Sequence, residues 1–283
     1  MKLKENSLIK VVAPSCAIKK EDLEELNRGK NFLESLGLKI DIDKRIDSND
    51  IEIKTKSLNE ALQSECDMVI AACGGEGAIN VVKNIDIKNV KNTVMGFSDI
   101  TSLLNYIYLE KKIVTYHGCN LKTFGRDGER RINKECFLDF KEALFNNNYL
   151  IEKEEFENIK SGSAEGILIG GNLTCFLELA DFYPIDLKDK ILLIEDLGYE
   201  TSAKDLELKL NKLKLVKNFN LLRGVILGNY EVETKDKIED IYLKNIDLNI
   251  PVIKTNKIGH GKTNLIIPIG KKVRIENRRI KII

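Results

Sequence analysis

Short apolar runs alternate along the chain with segments whose apolar residues recur every three or four positions. Leu8–Ala13 is a short apolar run, broken by Lys10 and ending in Pro14-Ser15, so it predicts a strand feeding a loop. Glu21–Leu36 carries Leu23, Leu26, Leu33 and Leu36 at helical spacing, with Gly37 placed to end the helix. Ile40–Ile42 and Ile51–Ile53 have the alternation of short edge strands, and Ser57–Glu65 that of a helix. Met68–Ala72 is continuously apolar and runs to Gly74-Gly75, a buried strand before a glycine loop, with a second helix starting near Gly77. Thr93–Phe97 predicts a further buried strand. The helix Asp99–Glu110 follows, with Ile100, Leu103, Leu104 and Ile107 on one face. Ile113–Tyr116 predicts the next strand, and this alternation predicts a parallel α/β sheet.

From about Phe124 to Ser163 the pattern changes to a charged, Asn-rich stretch with one helix near Glu135–Phe145. Beyond it, strands are predicted at Gly166–Ile169, Ile191–Ile194, Gly224–Leu227 and Pro251–Ile253, with a helix over Ala203–Leu215. The end, NLIIPIGKKVRIENRRIKII, predicts short antiparallel strands joined by turns. The expected division is an N-terminal α/β domain over 1–123, a connection over 124–163 and a C-terminal domain over 164–283.

Composition narrows the partners. Apolar residues make up 43% and charged residues 31%, with a formal net charge of +1, so no strong basic field exists for nucleic acid or an anionic membrane. The opening MKLKENSLIKVVAPS lacks the apolar core of a secretion signal, and no stretch is long enough to span a bilayer, which predicts a cytoplasmic protein. Cys16, Cys66, Cys73, Cys119, Cys136 and Cys175 are scattered, with no C-x-x-C pair, and read as reduced thiols. With only two histidines and no clustered ligands, no structural zinc is expected.

Four segments could carry chemistry. In GFSDITSLL (Gly96–Leu104) a buried strand runs into Ser98 and a helix starts at once, as in a nucleophile elbow, with the Asp99 amide placed for a developing oxyanion. The segment by itself favours a plainer role, Ser98 as a helix N-cap. CGGEGA (Cys73–Ala78) has neither phosphate-loop nor dinucleotide spacing, which leaves a backbone cradle or an ordinary turn. In LLIEDLGYE the paired Glu195 and Asp196 end a strand, where an acid could orient a histidine, bind a metal or face a helix N-terminus. His260 lies between two glycines in NKIGHGKTN, and only His117 competes with it as a general base.

Taken in order, these segments resemble the LD-carboxypeptidase family of serine peptidases, which includes muramoyl-tetrapeptide carboxypeptidases and microcin-immunity peptidases. The resemblance spans nearly the whole chain: VVAPS at Val11–Ser15, the loop Gly74–Gly77, GFSDIT at Gly96–Thr101, His117-Gly118, GGNLT at Gly170–Thr174, the acids within Ile194–Leu197, Ile226–Gly228, Ile258–His260 and Pro268–Gly270. It implies Ser98 as nucleophile, His260 as general base and Glu195 as the carboxylate that orients it. It further implies oxyanion donors from the Asp99 and Gly75 backbones. Gly74, Glu76 and Asn172 are candidate substrate contacts, and His117 is expected to pack or hydrogen-bond near the cleft, with substrate contact as the alternative. The implied fold is α/β: a Rossmann- or flavodoxin-like parallel-sheet domain carrying Ser98, and a mixed α/β, swivelling-type domain carrying Glu195 and His260. No metal or other cofactor is implied, and a homodimer is. The implied reaction hydrolyses the amide between an L-centre and a terminal D-amino acid in murein tetrapeptides, during peptidoglycan recycling.

Two departures bear on substrate. Murein-cleaving members tend to have Arg before the glycine pair and Tyr after it, where this chain has Cys73 and Glu76. The Arg typical after the paired acids is also missing, with Leu208 at the nearest position. Glu76 could favour a substrate with a free amine, so a hydrolase detoxifying a peptide–nucleotide or acylated amine is the alternative. A silent binding module of the same fold is a third reading.

Overall fold

The computed structural model describes residues 2–197, 202–230 and 237–283. Its elements run in the order β1 (Leu8–Val12), α1 (Leu23–Ser35), β2 (Lys39–Ile42), α2 (Ile51–Gln63), β3 (Met68–Ala71), α3 (Ala78–Val82), β4 (Val94–Gly96), α4 (Thr101–Lys111), β5 (Thr115–His117), α5 (Leu121–Phe124), α6 (Lys134–Asn146) and β6 (Glu157–Lys160). There follow β7 (Ala164–Asn172), α7 (Leu173–Phe182), β8 (Lys190–Asp196), α8 (Ala203–Leu213), β9 (Gly224–Tyr230), α9 (Ile238–Asn245), β10 (Val252–Lys254), β11 (Ile267–Ile269), β12 (Lys272–Glu276) and β13 (Arg279–Ile282).

Two sheets organise the fold. The first is six-stranded in the order β11-β5-β4-β3-β1-β2, parallel except for β11, which runs antiparallel beside β5. The second is seven-stranded in the order β13-β12-β7-β8-β9-β10-β6, with a parallel centre β7-β8-β9-β10 flanked by antiparallel strands. The expected α/β class with a parallel N-terminal sheet and a mixed second sheet is thus what the chain forms. The continuously apolar strands are the central ones: every residue of β3 is buried, and so are Ile191–Asp196 of β8.

The charged stretch 124–163 contributes more than a connection, because β6 pairs with β10 at the edge of the second sheet. The C-terminal stretch also crosses back, since β11 extends the first sheet through the pairs Ile267 with His117 and Ile269 with Thr115.

The reading of Ile51–Ile53 as an edge strand is wrong; the segment opens α2. The Asp50 side chain accepts hydrogen bonds from the amides of Glu52 and Ile53 and so caps a helix, while Ile51 and Ile53 face outward, 45% and 40% exposed. Leu58, Ala61 and Leu62 are the buried face of that helix.

Helix α4 joins the two sheets. It packs on β4 and β5 and also on β7 and α7. Buried Asn105 donates to the Gly170 carbonyl at 2.9 Å and accepts from the Gly170 amide at 2.9 Å, while Thr101 Oγ1 accepts from the Asn172 amide at 3.0 Å. These bonds fix the end of β7 against the start of α4, next to Ser98.

Candidate active site

The carboxyl ends of parallel strands from both sheets converge on one cavity, the usual ligand position in open α/β sheets. Its volume is about 860 Å³, and its lining includes Gly74, Gly75, Glu76, Ser98, Asp99, Asn172 and His260. Glu195 and His117 lie behind this wall, both with fully buried side chains.

Ser98 sits where β4 ends, at φ +63°, a left-handed conformation that non-glycine residues seldom adopt. Such an outlier at a strand-to-helix turn is the geometry of a nucleophile elbow. The N-cap alternative does not hold, because Ser98 makes no capping bond: α4 begins at Thr101 with Ile100 at its cap and no side-chain cap. Gly74 packs so closely that a Cβ there would lie 3.0 Å from Ser98 Cβ and 3.3 Å from its Oγ. Gly75, at φ +131°, packs beside Cys16. The amides of Gly75 and Asp99 face no hydrogen-bond acceptor among the described residues.

The turn is held by Asp99. Its carboxylate is buried, accepts from Ser15 Oγ at 2.5 Å and from the Ala78 amide at 2.8 Å, and so ties together β1, α3 and the serine turn. Burial pushes its pKa above the usual carboxylate range, against those hydrogen bonds.

Glu195 is the penultimate residue of β8 and accepts from His260 Nδ1 at 2.7 Å through Oε2, while Oε1 lies 3.5 Å from His117 Nε2. Burial by itself would raise this carboxyl, but the two imidazoles outweigh burial and hold it down at about 2. An ionised carboxylate only accepts, so Nδ1 of His260 carries the proton and Nε2 is left to act as a base. Burial lowers the His260 pKa and Glu195 raises it, with a net upward shift. The ring packs against Phe97, the residue before Ser98, with centroids 5.1 Å apart and the planes tilted by 50°. No hydrogen bond joins Ser98 Oγ to the imidazole among the described residues; such contacts are often long until a substrate enters.

His117 faces Glu195, not the cavity, and its Nδ1 is buried without a partner. Asn172 caps α7 by accepting from the Cys175 amide at 3.1 Å, and donates to Asp196 at 3.0 Å. Asp196 also accepts from Thr174 Oγ1 and Lys209 Nζ, each at 2.8 Å, so the neighbouring acids have different tasks: Asp196 braces the wall and Glu195 holds the histidine. Burial pushes the Cys73 thiol up to about 12, which disfavours its reactive thiolate form. Residues 198–200, the end of the Ile191–Glu200 segment, lie outside the described residues.

Sequence reasoning missed Ser15, Thr101 and Asn105, and also Arg126, which lines the cavity. Ser15 stood inside the VVAPS run, but its partner Asp99 is 84 residues away, and no local pattern reports such a contact.

The chain matches the family model described as LD-carboxypeptidase N-terminal domain over residues 9–118, and that described as LD-carboxypeptidase C-terminal domain over residues 165–275. A Bacillus subtilis (strain 168) protein named "Probable murein peptide carboxypeptidase" is 28% identical, covering 95% of this chain and 89% of the relative. The Escherichia coli microcin C7 self-immunity protein MccF is 26% identical, covering 90% of this chain and 87% of the relative. Among solved structures, an MccF-like protein from Bacillus anthracis str. Ames shares the fold with a TM-score of 0.86 and 24% identity, over 99% of this chain and 97% of that one. MccF in complex with glutamyl sulfamoyl guanosine does so with a TM-score of 0.88 and 22% identity, with the same coverage. Models matched along both halves place this chain in the LD-carboxypeptidase family, as a serine-type carboxypeptidase.

Proposed function

We propose that the enzyme hydrolyses the amide between an L-centre and a terminal D-amino acid in murein tetrapeptides, through Ser98, His260 and Glu195. The observation that carries this reading is the 2.7 Å bond from His260 to buried Glu195, on the same cavity as a serine at φ +63°. His260 Nε2 takes the Ser98 proton as Oγ attacks the carbonyl carbon. Charge gathers on the carbonyl oxygen, where the Asp99 and Gly75 amides donate to it. The imidazolium, held by Glu195, protonates the leaving nitrogen and the C–N bond breaks. Water, deprotonated by His260, then attacks the acyl ester and frees Ser98.

A second reading is hydrolysis of an acylated amine linked to a nucleotide. Glu76 and Glu178 line the cavity and suit a free amino group, and MccF is a relative. Mass spectrometry of products from a murein tetrapeptide, run beside glutamyl sulfamoyl guanosine, separates the two. Release of the terminal D-amino acid supports the murein reading; cleavage of the nucleoside compound alone overturns it.

The murein reading carries a cytoplasmic, recycling role and a homodimer with it. Cell fractionation and sedimentation of the purified protein test these, and an exported protein or a monomer would contradict them. Among the described residues no helix is long and apolar enough to cross a membrane.

A further inference from the structure

The cations lining the cavity among the described residues are Lys122 and Arg126. Lys122 is engaged, with its ammonium 2.7 Å from Asp22. Arg126 follows α5, and its guanidinium makes no hydrogen bond or ion pair among the described residues. Its Nε is buried and unpartnered. The acid next to it in sequence, Asp127, is taken by Arg28 at 3.0 Å. A buried donor left unpaired is costly, and a cation that local acids leave alone at a cavity wall is a binding group waiting for an anion.

The position of Arg126 says which anion. Arg126 and His260 line the same cavity, and beside the larger effects of burial and of Glu195 the guanidinium adds a push against protonation of that imidazole. His260 must protonate the leaving nitrogen, so the leaving amino acid lies on the His260 side of the cavity. In a terminal amino acid the carboxylate is two bonds from that nitrogen. A guanidinium is always charged and matches a carboxylate with two parallel N–H donors.

We infer that Arg126 is the receptor for the α-carboxylate of the leaving D-amino acid, and so the residue that makes this serine hydrolase a carboxypeptidase. The inference rests on the murein reading above. It gives a physical reason for cleavage at a chain end: an internal peptide bond offers no carboxylate at that place. Binding would also neutralise the charge that opposes protonation of His260 as it takes the proton from Ser98.

The test compares a murein tetrapeptide ending in D-alanine with the same peptide ending in D-alaninamide, on the wild-type enzyme, Arg126→Met and Arg126→Lys. A charge-assisted pair of this kind should favour the acid over the amide by about 10- to 100-fold in kcat/KM. Arg126→Met should lose that factor on the acid and much less on the amide, bringing the ratio near one. Arg126→Lys should regain part of it, since it restores charge but not the planar fork. Equal losses on acid and amide would show a merely structural role and overturn the assignment, as would a wild-type enzyme that treats both alike. A wild-type enzyme that cleaves neither peptide yet cleaves glutamyl sulfamoyl guanosine would overturn the murein reading, and this assignment with it.

Discussion

Glu195 Oε2 lies 2.7 Å from His260 Nδ1, with the carboxylate fully buried and the imidazole 15% exposed. One carboxylate therefore sets both the tautomer and the basicity of the histidine. Because Glu195 raises the His260 pKa, the acidic limb of kcat/KM should fall above 6.5, the ordinary histidine value. Glu195→Gln removes the carboxylate but keeps the burial, which lowers the pKa. The limb should then move to lower pH, with a maximal rate reduced on the order of 10⁴-fold, as for other triads that lose this acid. A limb that stays in place would show that another group titrates there.

The same pair has a stability side. The raised His260 pKa contributes stability that is fully present below 6.5 and is lost as pH rises through the folded-state value. The Glu195 carboxyl, depressed from 4.5 to about 2, contributes stability present above 4.5 and lost as pH falls toward 2. Glu195→Gln should flatten both ends of a plot of unfolding free energy against pH, and urea titrations across that range would measure it.

Ser98→Ala and His260→Ala should each lower kcat on the order of 10⁴-fold or more, and the double variant should be little worse, because such residues act as a unit. Retention of most activity by Ser98→Ala would end the serine mechanism. Circular dichroism of both variants should match the wild type, since neither side chain fills the core.

Much of this was legible in the sequence, for physical reasons. Buried parallel strands such as Met68–Ala71 are continuously apolar, and α4 shows its inner face at helical spacing. Ser98, Glu195 and His260 are candidates because each follows or ends such a strand or sits between glycines, but the segments alone favour an N-cap for Ser98, and the three roles come from the family resemblance of the ordered set. What stayed hidden depends on contacts between distant segments. His117 is covered by β11 returning to the first sheet, and among the described residues Arg126 is left unpaired while Arg28 takes Asp127. The Ile-Glu-Ile start of α2 mimicked a strand, and only the capping bonds of Asp50 decide otherwise.

Gly259 should not tolerate a side chain. It sits at φ +102°, and a Cβ there would lie 2.6 Å from Glu195 Oε2 and 3.0 Å from Glu195 Cβ. Gly259→Ala would strain the backbone and push Glu195 from His260; misplacements of about 1 Å can cost on the order of 10²-fold in rate. Turnover at saturating substrate measures it, and near-normal kcat would show that the loop absorbs the methyl group.

A chelator should leave turnover unchanged, since the proposed chemistry uses a serine, an imidazole and a carboxylate. The ligand atoms of Asp99, Cys175 and Glu178 do lie within 4.8 Å of one another, but the Asp99 carboxylate is already bonded to Ser15 and to the Ala78 amide. Activity lost on dialysis against EDTA and restored by zinc would point to a metal enzyme instead.

Asn105→Ala tests the joint between the sheets. The side chain satisfies both the amide and the carbonyl of Gly170, at 2.9 Å each, in a fully buried position. Removing it leaves two buried backbone groups unpaired, at about 1–3 kcal/mol each. The loss should appear in urea unfolding as a lower midpoint with an unchanged slope. It should also raise KM, because the same joint sets Asn172, through Thr101, against the turn that presents Ser98. A stability loss without any kinetic change would mean that α4 holds the serine turn without help from the second sheet.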